Sequence, residues 1–154
     1  MVRTLAIACD HAGYEMKEAL KGHLQGKGDL QVFDLGTLNG GDSVDYPDFA
    51  ARVAHGIEKG EYETGLLICG TGIGMAMMAN RFPRVRAANC HGIFTAVLAR
   101  RHNDANVLTL GSRVVAVENA KAIVDAFLAT EFDGGSRHQR RIGKLADLSP
   151  ASGK

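Results

Sequence analysis

The sequence predicts an α/β protein built on a parallel sheet with helices on both faces. Three observations carry that prediction. Short apolar runs of strand length recur along the chain. Segments with apolar residues three and four apart, the signature of a helix face, separate them. Glycine is abundant, 19 of 154 residues, and many glycines fall between the runs, as a fold of many short units requires. Apolar strands alternating with amphipathic helices imply a sheet buried on both sides.

In order, Thr4–Cys9 (TLAIAC) is the first strand, and Asp10, His11, Ala12 and Gly13 form a turn. Tyr14–Gln25 is a helix with Met16, Leu20 and Leu24 on one face, ended by Gly26 and Gly28. Leu30–Asp34 is the second strand. The Gly-, Asn-, Asp- and Ser-rich segment Leu35–Pro47 is a loop. Pro47 and Asp48 open a helix to Lys59, with Phe49, Val53 and Ile57 inward. Leu66, Leu67 and Ile68 are the third strand, ending at Cys69. A glycine loop, Gly70–Gly74, and a short helix, Met75–Ala79, follow. Val85–Cys90 is the fourth strand, and Ile93–Arg101 a helix with Val97 and Leu98 inward. Asn103 and Asn106 mark a turn before the fifth strand, Val107–Leu110. Val117–Ala129 is a helix with Ala120, Ile123, Val124 and Phe127 on its apolar face. Gly134 and Gly135 break the chain, and His138–Leu145 is a last basic helix. Residues 1–148 read as one domain and 149–154 as a flexible tail.

The formal net charge is +1, so bulk charge drives no nucleic-acid or membrane binding. No apolar run is long enough to span a bilayer, and the first residues lack a signal-peptide pattern, so the expected setting is cytoplasmic. Cys9, Cys69 and Cys90 are odd in number and widely spaced, which argues against a disulfide framework or a zinc site. No metal or cofactor is expected.

The stretch GLLICGTGIGMAMMANR (residues 65–81) is the chemical centre of the sequence. Strand, glycine loop and helix aim several backbone N–H groups at one point, and the helix start adds partial positive charge. The spacing is neither the dinucleotide G-x-G-x-x-G nor a P-loop. A helix start beside a thiol favours the thiolate, yet a buried cysteine is as often a small apolar packer. The residues alone leave Cys69 open between these readings. In parallel sheets ligands bind beyond the carboxyl ends of the strands. That rule groups Asp10 and His11, Cys69–Gly74, His91, and Gly111–Arg113 at one edge. Taken singly, each has an ordinary explanation. Asp10 suits a helix cap, His102 a dipole partner at a helix end, and the basic run a solvated face. As a set they fit a small anionic ligand: arginine forks and a histidine for a phosphate, backbone amides for a developing oxyanion, and a thiol for proton transfer beside a carbonyl.

Six motifs carry a family resemblance: CDHAG (9–13), DYPDFA (45–50), ICGTGIGMAMMANR (68–81), RHNDANVL (101–108), GSRVV (111–115) and GGSRHQRR (134–141). In these, over nearly its whole length, the chain resembles the type B ribose-5-phosphate isomerases, in the superfamily that includes galactose-6-phosphate isomerase subunits. The resemblance implies a three-layer α/β/α sandwich, Rossmann-like, with a five-stranded parallel sheet of order 2-1-3-5-4. It implies a homodimer with shared active sites, or a dimer of dimers. It also implies interconversion of ribose 5-phosphate and ribulose 5-phosphate through an enediolate, without metal. Carried over, Cys69 is the base at C2 and C1, and Thr71 helps move protons between the oxygens. The amides of Gly70, Gly72, Ile73 and Gly74 hold the enediolate. Asp10 and His102 assist ring opening, and His102 and some arginines come from the neighbouring subunit. His11, Arg137 and Arg141 bind phosphate with help from Arg113, and Asn103 and Tyr46 contact the sugar or order the site. Some family members replace the cysteine with a glutamate six residues on; here that position is Met75, which accepts no proton. The alternatives are the same chemistry on allose 6-phosphate or galactose 6-phosphate, and a non-catalytic sugar-phosphate- or nucleotide-binding domain.

Overall fold

The computed structural model describes residues 2–146. It runs β1 (Arg3–Cys9), a 3₁₀ turn (His11–Gly13), α1 (Tyr14–Gln25), β2 (Leu30–Asp34), α2 (Tyr46–Lys59), β3 (Thr64–Cys69), α3 (Ile73–Ala79), β4 (Ala87–Asn89), α4 (Ile93–Asn103), β5 (Val107–Gly111), α5 (Val117–Ala129) and α6 (Ser136–Ala146). The proposed domain limit at 148 and the tail at 149–154 lie outside the described residues. All five strands are parallel, in the order β2-β1-β3-β5-β4. No helix among the described residues is long and apolar enough to cross a membrane.

Alternation along each strand divides the core into two layers. Leu5, Ile7, Leu66, Ile68, Leu108 and Leu110 face one side, where Met16, Leu20 and Leu24 of α1 and Ile123, Val124 and Phe127 of α5 cover them. Ala6, Ala8, Leu67 and Val107 face the other, beneath Phe49, Val53 and Ile57 of α2 and Met75 and Ala79 of α3. Each fully buried Leu or Ile contributes roughly 1.5–3 kcal/mol, so the strands are fixed by burial on both faces. Both predicted helix faces on α1 and α5 are the buried ones.

The structure shifts several boundaries: α3 begins at Ile73, so Ile73 and Gly74 are helix rather than loop, α4 runs on through Asn103, where a turn was expected, and β1, β3 and β5 are each longer by one or two residues. It also corrects β4, α2 and the buried face of α4. β4 is only three residues long, not Val85–Cys90. The Val85 N–H turns back to the Phe82 carbonyl, and the amides of Arg86 and Ala87 donate to the side-chain oxygens of Asn106 and Asn80, so these donors are withdrawn from the sheet. α2 begins one residue early, at Tyr46. On α4 the buried residues are Ala96 and Ala99, not Val97 and Leu98, which are half-buried. The two small residues face the sheet and α5, and the larger ones lie on the flank. The last helix forms over Ser136–Ala146 rather than His138–Leu145, and buries no residue at all.

One ionic cluster pins the sheet edge. Lys17, 1% exposed, donates from Nζ to Asp34 Oδ2 at 2.7 Å and to the Thr37 carbonyl at 3.1 Å, and lies 3.0 Å from Glu18 Oε1. It ties α1 to the end of β2 and to the loop leading to Tyr46. Burial opposes the Asp34 charge, but hydrogen bonds from Lys17, Lys21 and the Gly36 amide outweigh it and hold the carboxyl below its usual range. Asp34→Ala leaves the buried Lys17 ammonium with only Glu18 and the Thr37 carbonyl, and the expected loss is about 1–3 kcal/mol in urea denaturation at pH 7, as for a buried group that loses one of its partners. Because the folded pKa is depressed, this contribution exists above the ordinary carboxylate range and is lost as pH falls through the lowered value. The difference between wild type and variant therefore narrows on acidification.

Candidate active site

The chain leaves β1 for β2 on one side and returns to β3 on the other. Loops at such a switch point diverge to opposite faces and leave a crevice beyond the strand ends. Here α1, after β1, packs in one core layer, and α3, after β3, in the other. Register makes the crevice residues level. Cys9 pairs with Ile68, and the Asp10 amide donates to the Ile68 carbonyl at 3.3 Å. Cys69 pairs with Gly111, and the Ser112 amide donates to the Cys69 carbonyl at 2.8 Å. Asp10, Cys69 and Gly111 are thus level at the ends of three adjacent strands, with Ser112 the next residue on.

Cys69 is 5% exposed, and the Gly72 amide donates to its Sγ at 3.1 Å. That amide reaches the sulfur because Gly72 is left-handed, with φ +78, at the start of α3. A Cβ there would lie 2.5 Å from Asn89 Oδ1 and 2.9 Å from the Leu110 carbonyl carbon, so only glycine fits. Thr71 is exposed, and its Oγ1 accepts from the Ile73 amide at 3.3 Å. Two loop amides are thereby turned onto the loop's own side chains. The remaining first-turn donors of α3 have no partner within the helix. Met75 is fully buried in the core.

Around this loop the predicted neighbours assemble. Asp10, 7% exposed, does cap the 3₁₀ turn, with Oδ1 accepting from the Gly13 amide at 3.1 Å. His11 Nδ1 accepts from the Val44 amide at 3.2 Å, which leaves the proton of the neutral ring on Nε2. The Tyr46 ring lies against Gly74, where a Cβ would approach it to 2.6 Å. Arg113 donates its amide to the Gly70 carbonyl at 3.0 Å and lays its guanidinium over Gly70. His91 is exposed just beyond β4.

The other predicted residues are elsewhere. α4 starts beyond the carboxyl end of β4 and runs back for 11 residues, about 16 Å. His102 and Asn103 therefore lie at the amino edge of the sheet. There Arg86, just before β4, donates from Nε to the carbonyls of Asn103 and Asp104. α6, with Arg137 and Arg141, begins at that same edge, since the Asp133 amide donates to the Arg101 carbonyl at 3.0 Å. The His102 and His138 rings stack there, centroids 4.4 Å apart and planes 6° from parallel. One chain thus divides the predicted set between opposite edges of its sheet.

Three supporting residues have no role of their own in the sequence reading, although Ser112 lies inside the Gly111–Arg113 stretch that it places at the carboxyl edge. Ser112 Oγ donates to the Ala12 carbonyl at 2.8 Å and clamps the first loop to the last; its place inside GSRVV was a usable signal. Asn89 Nδ2 donates to the Thr71 carbonyl at 3.4 Å, and nothing in the sequence marks it. Asp133 binds Arg101 Nε at 3.0 Å and lies 4.0 Å from His102 Nε2. His102, Asp133 and His138 offer ligand atoms within 4.8 Å of one another, the tightest metal-type grouping among the described residues. Parallel rings, however, aim their in-plane lone pairs side by side, and a metal ion needs them to converge. The three thiols are all free. Burial pushes Cys9 up to about 12 and also raises Cys90, so both are neutral, inert packers.

Fold and site together define a doubly wound α/β/α protein with a thiol-bearing glycine loop at the switch point. The chain belongs to the ribose/galactose isomerase family, whose model matches residues 5–145. It is 45% identical to ribose-5-phosphate isomerase B of Escherichia coli over 96% of this chain and 97% of that protein. It is 43% identical to D-erythrulose-4-phosphate isomerase of Pectobacterium atrosepticum over 86% of each. The solved ribose 5-phosphate isomerase of Thermotoga maritima superposes with a TM-score of 0.91 at 49% identity, covering 95% of this chain and 99% of that one.

Gly72→Ala is expected to lower stability by about 1–3 kcal/mol, from left-handed strain and the clash with Asn89. Gly92→Ala, where a Cβ meets nothing within 4 Å, is expected to stay within about 0.5 kcal/mol. Denaturant midpoints of the two variants check this.

Proposed function

We propose that the protein is a sugar-phosphate isomerase that interconverts ribose 5-phosphate and ribulose 5-phosphate through an enediolate. The observation that carries this reading is the Cys69 sulfur, level with Asp10 and Gly111, receiving the Gly72 amide at the switch crevice. Family membership and the high identity to an isomerase named for ribose 5-phosphate support the substrate class.

In this mechanism Asp10 and His102 assist opening of the furanose to the aldehyde. The Cys69 thiolate removes the proton from C2, and the electron pair moves to form the C1–C2 double bond with negative charge on O1. Unused amides in the run Gly70, Gly72, Ile73 and Gly74 stabilise that charge. Thr71 relays the O2 proton to O1, and the Cys69 thiol returns its proton to C1 as the C2 carbonyl forms. His11, Arg113, Arg137 and Arg141 hold the phosphate, and Tyr46 and Asn103 line the sugar. Met75 lies in the core and takes no part.

The working unit we infer is a homodimer in which His102, Asn103, Arg137 and Arg141 of one subunit complete the crevice of the other. The division of these groups between two sheet edges supports this. So does the apolar surface that one chain leaves bare around its carboxyl edge: Ile73, Met77, Ile93, Phe94 and Val114 are all at least half exposed. Three free cysteines and the lack of a membrane-spanning helix among the described residues favour a cytoplasmic setting.

Cys69→Ala is expected to reduce isomerisation of ribose 5-phosphate by roughly 10²–10⁴-fold, assayed with EDTA present, while inorganic phosphate still binds. Full turnover by the variant would remove the thiol from the mechanism. Binding without turnover of any four-, five- or six-carbon aldose phosphate by the wild type would favour a non-catalytic binder. The same panel ranks the sugars.

A further inference from the structure

α6 carries Arg137 and Arg141 yet buries none of its residues. An arm that presents ligand-binding groups without a buried face needs another fixing point. The described residues offer one. His138, between the two arginines, lies face to face with His102 at 4.4 Å and 6°. The carboxylate of Asp133 stands beneath, 4.0 Å from His102 Nε2, and is itself held by Arg101. Gly134, with φ +65, turns the chain between this carboxylate and the arm.

We propose that His138 is a positioning residue: by stacking on His102 it sets the plane of that imidazole and latches the arginine arm to the end of α4. His102, Arg137 and Arg141 then form one preset unit. Stacking of this kind is strongest between neutral rings, since two imidazolium ions at 4.4 Å repel. Desolvation, the neighbouring His102 ring and the Arg137 guanidinium hold His138 below the usual histidine value, against the opposing pull of Asp133 and with a further contribution from Arg141. The ring is therefore neutral at pH 7. Its part in turnover rests on the isomerase reading above; the latch itself does not.

The test compares His138→Ala with His138→Phe, which keeps an aromatic plate and loses both ring nitrogens. His138 is half-buried and lies outside both core layers, so neither variant should unfold the chain, and melting curves verify that. NMR of the His102 ring protons reads the latch without any assay. The ring-current shift from residue 138 should vanish in the Ala variant and persist in the Phe variant. In turnover, His138→Ala should lose roughly ten- to a hundred-fold in kcat/KM, as expected when a catalytic group is misplaced by about 1 Å, and His138→Phe should recover most of it. Placed on a His102→Ala background, His138→Ala should add nothing, because its effect passes through His102. A Phe variant as poor as Ala, or an effect that survives removal of His102, overturns the proposal. Unchanged His102 shifts in the Ala variant overturn it too. If the wild type turns over no sugar phosphate, the isomerase reading falls while the NMR result still decides the latch.

Discussion

All five strands run the same way, and that polarity is the constraint from which the site follows. Every strand delivers its next loop to one edge, and every crossover helix carries its own C-terminus back to the other. Asp10, Cys69 and Ser112 are neighbours because they are the first residues past, or the last within, three adjacent strands in register. His102 and Asn103 are distant for the same reason, because they close a helix. No side-chain rotation in one chain cancels a separation built into the direction of the sheet.

The two edges are held by different physics. At the carboxyl edge the chemistry hangs on main-chain hydrogen bonds: Gly72 to the sulfur, Val44 to His11, Gly13 to Asp10, Ser112 to Cys69. These bonds tie the loops to one another and to the strand ends through backbone rather than through side chains alone. The same bonds consume donors, and two loop amides already serve Sγ and Thr71 Oγ1. Under the proposed mechanism, oxyanion binding would fall to the amides around them. At the amino edge the fixing is by surface groups, a stacked ring pair and an Arg101–Asp133 pair at the end of α4. A second subunit placed over that edge would add burial that α6 lacks in one chain.

The fold was legible in the sequence wherever burial dictated the pattern. α1, β2 and α5 begin and end where their apolar spacing put them. Legibility failed where side chains replaced the sheet ladder, as Asn80 and Asn106 do before β4. It failed again where small residues do the burying, as on α4, since Ala96 and Ala99 give a weak periodic signal beside Val97 and Leu98. Within the site, the residues following strands could be grouped from the rule that parallel sheets bind at their carboxyl edge. The grouping of His102, Arg137 and Arg141 with them came from family likeness, and one chain does not make that contact. The stack of His138 on His102 could not be read because it joins two elements 36 residues apart through surface side chains, where no periodicity operates.

The most direct test of a site divided between two subunits is complementation. Cys69→Ala chains and His102→Ala chains, each impaired alone, are unfolded together, refolded as a mixture and assayed on ribose 5-phosphate. Random pairing makes half of the dimers mixed, each with one site that has both native residues, so recovery to about a quarter of wild-type activity is expected. If the mixture shows only the average of its two parents, while both variants fold and pair, each site is built from a single chain and the account is wrong.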